Sequence, residues 1–135
     1  MTFPTPLHAK VAELVAGFFE HRASVDTVLL VNSIARGKAT PNSDLDIAVL
    51  VEEGTSPDQM GQMEAAWLRY ASASGTVNEF LNHGPYTKIH LDLFDGSFVP
   101  TACLNICGSK RNFLLSLAPS AVFILMNGFN MLYFL

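Results

Sequence analysis

The sequence predicts an α/β fold, an α+β arrangement in which helices pack on a small mixed β-sheet. Three observations predict it. Val11, Leu14, Val15, Phe18 and Phe19 fall on one helical face. Met60, Met63 and Trp67 repeat that spacing further on. Apolar segments that read as strands, Val25–Val31, Asp44–Val51 and Lys88–Phe94, interleave with these helices. The chain has 135 residues, enough for one domain with a packed core.

Taken in order, Met1–Leu7 carries Pro4 and Pro6 and reads as an irregular lead-in. His8–Ala23 is the first helix. Val25–Val31 is the first strand, and Asn32-Ser33 ends it at the opening of a short helix. Pro41-Asn42-Ser43 is a turn. Asp44–Val51 is the second strand. Ser56-Pro57-Asp58-Gln59 then forms a capping box, with serine at the cap and proline at the first helical position. That helix runs to about Ala71, with Met60, Met63, Trp67 and either Tyr70 or Ala71 facing inward. Thr76-Val77-Asn78-Glu79 suggests a second capping box before Phe80-Leu81. Asn82-His83-Gly84-Pro85 is a turn. In the third strand Ile89, Leu91 and Leu93 share one face, and His90, Asp92 and Phe94 the other.

Charge narrows the function. Residues 1–95 hold six bases and all twelve acids, and the chain carries a net −4. A duplex-binding protein would show a basic face. A protein that meets nucleotide through metal need not, because the ion offsets phosphate charge locally. Cys103 and Cys107 do not make a disulfide framework. No secretory signal opens the chain. A reduced, cytoplasmic protein is expected.

The chemistry concentrates in Leu29–Val51. Asp44 and Asp46 are two apart, so on a strand both point to one face, with Cα atoms roughly 6.5 Å apart. Two carboxylates so placed repel each other unless a divalent ion lies between them, and hard oxygen ligands suit magnesium. Asp92, on another strand, is placed to join them. Three carboxylates around two ions about 3.5–4 Å apart are one solution for in-line phosphoryl displacement. Ser33 follows a strand at a helix start, where unpaired N–H groups favour phosphate. Arg36 and Lys38 add charge nearby. His90 shares the face of Asp92 and reads as its hydrogen-bonding neighbour.

Ser33 is followed by ten residues, Ile34 to Ser43, and then by Asp44-Leu45-Asp46. Ala35-Arg36-Gly37 and Ser43-Asp44-Leu45-Asp46 extend the pattern. This resembles the nucleotidyltransferase superfamily of DNA polymerase β, and within it the small minimal nucleotidyltransferases that serve as antitoxins. The resemblance covers about residues 8 to 96. It implies that Asp44 and Asp46 bind two magnesium ions, and that Asp92 joins the second ion or acts as base. It implies that Ser33 holds the β- or γ-phosphate and that Arg36 contacts the triphosphate. The family's glycine before the serine is Asn32 here; asparagine is the next most tolerant residue of unusual φ.

The implied activity moves a nucleoside monophosphate, AMP from ATP, onto an acceptor. Stand-alone members work with a helical partner of the HEPN class, as antitoxins that modify or mask a toxin. A second reading is a catalytically weak antitoxin that neutralises a HEPN-type toxin by contact. A third, an aminoglycoside nucleotidyltransferase, is disfavoured because those chains are longer. No separate acceptor-binding domain is expected.

The sequence divides into a nucleotidyltransferase unit, 1–96, and an atypical apolar segment, 97–135. The last 24 residues carry no charge. Their length and the flanking Lys110-Arg111 meet the criterion for a membrane span, and Pro119, Asn127, Gly128 and Asn130 count against one. An altered or truncated end, a partner-binding surface and a membrane anchor are the three readings of this segment.

Overall fold

Thr27–Leu30 are four consecutive buried residues, and the sheet is built outward from the strand they occupy. The structure is a computed structural model that describes residues 3–94 and the pair Phe123–Ile124. Its elements run α1 (Pro6–Glu20), β1 (Val25–Val31), α2 (Asn32–Ala35), β2 (Leu45–Val51), α3 (Pro57–Ala73), α4 (Gly75–Leu81), β3 (Ile89–Phe94) and β4 (Phe123–Ile124). The sheet order is β3-β2-β1-β4. β1 pairs antiparallel with β2 and β4, and β2 pairs parallel with β3, so the sheet is mixed as expected. The parallel pair needs a crossover, and α3 and α4 supply it.

Register separates two faces. Val28 pairs with Val49 and Leu30 with Ile47, while Leu45, Ile47 and Val49 pair with Ile89, Leu91 and Leu93. These residues point into the core with Val11, Val15 and Phe19 of α1 and Val77 and Phe80 of α4. Met63 and Trp67 of α3 complete it. Phe19 and Phe80 are fully buried, and each such side chain contributes about 1.5–3 kcal/mol. Asp46, Ala48, His90 and Asp92 lie on the opposite face. Of the alternatives at the end of the α3 stripe, Ala71 packs on the core; Tyr70 stays exposed and contacts Phe18 and Trp67.

Local chemistry sets the helix ends. α1 begins at Pro6, two residues before the expected start. The Thr5 hydroxyl accepts from the His8 amide at 3.2 Å, and Pro6 takes the first turn, where an amide hydrogen has no partner to lose. α1 ends at Glu20 rather than Ala23. Arg22 has already left the helix, with its guanidinium carbon 4.2 Å from the centre of the Phe18 ring. The α3 capping box is present in both directions: Gln59 N donates to Ser56 Oγ at 3.2 Å, and Ser56 N donates to Gln59 Oε1 at 3.0 Å. α4 starts at Gly75, not after Thr76. Ser74 in extended backbone ends α3, and its hydroxyl accepts from Val77 N at 3.3 Å to start α4.

The readings of segment 97–135, the membrane span included, fall outside the described residues except for Phe123–Ile124, which pair with Leu30 and Leu29. Among the described residues no helix is long and apolar enough to cross a membrane.

Candidate active site

The site begins where β1 stops. Asn32 has φ +62° and is the non-glycine residue of positive φ among those described. An L-residue enters this left-handed region at a cost, and asparagine tolerates it better than most. The reversal ends the strand and starts α2 at once. α2 lasts four residues. It closes in a Schellman arrangement: Lys38 N donates to Ser33 O at 2.9 Å and Gly37 N to Ile34 O at 3.0 Å. Gly37 takes φ +69°, the left-handed position this ending requires. The glycine of Ala35-Arg36-Gly37 therefore has a backbone role, stopping α2 so the chain can turn back toward β2. Arg36 is the C-cap residue and is exposed; Ser33 is half-buried.

Asp44 directly precedes β2 rather than lying within it, and its backbone is held on both sides. The turn before it is closed by Ser43 N donating to Thr40 O at 2.9 Å and Thr40 N donating to Ser43 Oγ at 2.8 Å. His8 Nε2 lies 2.8 Å from Ser43 O. A carbonyl only accepts, so this nitrogen carries the proton. His8 Nδ1 is 2.6 Å from Thr5 Oγ1, which donates to it, and the ring stands edge-on to Phe80. On the other side Leu45 N donates to Lys88 O at 2.8 Å, one residue before β3. Asp44 thus sits between a tether to α1 and a tether to the start of β3.

β2 and β3 then bring the side chains together. Asp46 pairs with His90 in parallel register, placing both on one face about 4.8 Å apart across the strands. His90 Nε2 is 3.0 Å from Asp44 Oδ2, with about half of the His90 side chain exposed. One ligand atom from each of Asp44, Asp46 and His90 lies within 4.8 Å of the others. Two carboxylates and an imidazole at that spacing, open to solvent, fit a divalent cation.

Val31 pairs with Asp46, so Asn32 and Ser33 emerge at the same end of the sheet as the carboxylates. The turn into α2 and the Asp44–Asp46–His90 group therefore share one end of the sheet. The family model for nucleotidyltransferase domains matches residues 13–94.

The chain belongs to the nucleotidyltransferase domain family.

No curated protein matches it. The matched span runs from within α1 to the last residue of β3, so the nucleotidyltransferase domain includes both segments that build the site. Of the residues expected from sequence, Asp44 and Asp46 come together. Asn32, Ser33 and Arg36 surround the turn at the same sheet end. Asp92 lies on the same face but pairs with Ala48, two residues further along the strand than Asp46, and stands outside the close group. His90, expected as a hydrogen-bonding neighbour of Asp92, lies instead against Asp44, and His8 was expected only as the start of the first helix. His90 joins the group because of register, which periodicity cannot supply. His8 reaches Ser43 across 35 positions of sequence; its only local signal is its place three residues after Thr5.

Proposed function

We propose that the protein is a metal-dependent nucleotidyltransferase that moves AMP from ATP onto an acceptor. The observation that supports this best is the Asp44–Asp46–His90 group at the sheet end from which Asn32 and Ser33 emerge. Asp44 and Asp46 hold magnesium, two ions in the full complex, and Asp92 completes the second position or serves as base. Bound there, the ion neutralises phosphate charge and makes the phosphorus easier to attack. The Ser33 hydroxyl and nearby amides receive the outer phosphates, and Arg36 adds positive charge at the turn. Where Asp92 serves as base, it would take the proton from the acceptor hydroxyl as the hydroxyl oxygen bonds to the α-phosphorus. The bond from that phosphorus to the bridging oxygen breaks, and pyrophosphate leaves.

The acceptor we favour is a helical HEPN-type partner protein in a toxin–antitoxin pair. Labelled ATP, magnesium, this protein and the product of the neighbouring reading frame are incubated together. Label moves to the partner with the unsubstituted protein, and transfer disappears in Asp44→Asn and Asp46→Asn. Neutralisation of the partner that survives both substitutions, without transfer, overturns the enzyme reading. It establishes instead an antitoxin that acts by contact, a reading favoured by the exposed side chain that Asn32 places at the turn.

A further inference from the structure

We infer that His90 is a nitrogen ligand of the bound cation, and that it gives this site a preference for manganese over magnesium. The inference rests on the metal-site reading above and adds the ligand that sets which ion is favoured.

Register carries the argument. An ion held by Asp44 and Asp46 sits at the start of β2. His90 is the β3 residue directly beside Asp46; Asp92 is beside Ala48, about 6.6 Å further along the strand. His90 Nε2 already stands 3.0 Å from an Asp44 oxygen, within the group whose donor atoms fall inside 4.8 Å. Nε2 donates to that oxygen when the proton is on it. In the other neutral tautomer the proton sits on Nδ1, and Nε2 offers its lone pair toward the space the carboxylates face. An imidazole added to two carboxylates changes the donor set from all-oxygen to mixed nitrogen and oxygen. Both ions suit oxygen donors, but magnesium is the harder ion and holds its waters tightly, so exchanging one oxygen donor for an imidazole nitrogen costs magnesium more than manganese.

The test uses the full chain without nucleotide. Calorimetry gives separate affinities for Mn2+ and Mg2+, and pulsed EPR of bound Mn2+ reads directly coupled 14N. The unsubstituted protein shows one histidine nitrogen. In His90→Asn and His90→Gln the nitrogen signal disappears and the Mn2+ over Mg2+ affinity ratio falls about tenfold, the lower end of what loss of a metal-site partner brings. His90 is exposed on β3, the outer strand among the described residues, so both variants keep the fold. Bound Mn2+ without nitrogen coupling, or an unchanged ratio in both variants, overturns the inference and leaves the metal site standing. Failure of the unsubstituted protein to bind either ion overturns both.

Discussion

Asn32 offers the sharpest test of the site's backbone. At φ +62° the usual order of residue preference inverts. Left-handed backbone costs most L-residues about 1–2 kcal/mol and glycine nothing. Asparagine pays part of that, and glycine gives back about 0.4–1 kcal/mol through its freer unfolded chain. Asn32→Ala should therefore destabilise the protein by about 1 kcal/mol. Asn32→Gly should be neutral or stabilising by roughly 0.5 kcal/mol, the relief slightly exceeding the entropy term. Were Asn32 an ordinary helical residue, as its place at the start of α2 suggests, alanine would be the better residue and glycine the worse. For a domain of this size, each kcal/mol moves Tm by about 3–6 °C. Thermal denaturation of the three proteins in one buffer then gives glycine at or above asparagine, and both above alanine. An alanine variant that melts above the other two would refute the left-handed assignment. It would also remove the reason for supposing that a glycine there lets phosphate approach the backbone.

Other outcomes follow from the same contacts. His8→Phe keeps the ring against Phe80 but leaves the Ser43 carbonyl without its donor; urea denaturation should show a loss of about 1–3 kcal/mol, and an unchanged midpoint would show that the tether carries no energy. Phe19→Ala empties a fully buried position and should cost about 3–5 kcal/mol by the same measurement. Ser74→Ala removes the hydroxyl that starts α4 and should cost about 1 kcal/mol, with a matching loss of helical signal in far-ultraviolet circular dichroism.

The parts of this fold that were legible in sequence are those set by neighbours in the chain. The stripe Val11, Val15, Phe19 predicts the buried face of α1 because a helix repeats every 3.6 residues. Ser56 and Gln59 predict their capping box because both bonds close within three residues. The spacing of Ser33, Asp44 and Asp46 predicts one site because a short helix and a turn bring the second strand back beside the first. What was not legible depends on how distant segments align. Alternation puts both His90 and Asp92 on the right face, but only the pairing of β2 with β3 decides which stands beside Asp46. The start of α4 was misplaced for a different reason. Ser74 and Thr76 are both competent caps, and Ser74 prevails because its extended backbone also breaks α3.

The tether from Leu45 N to Lys88 O has a consequence for how the protein matures during synthesis. The two aspartates leave the ribosome some forty residues before their histidine neighbour and before the carbonyl that fixes the Leu45 amide. β1 and β2 can form their antiparallel pair early, since a short segment joins them. The parallel strand must wait for α3 and α4 to cross over, a slow, non-local step. A nascent chain stalled before Lys88 therefore carries Asp44 just before β2 and Asp46 within it, with the β3 side of β2 unpaired and His90 not yet in place. On the function proposed above, the cation group is completed only when the last strand of the matched domain is in place.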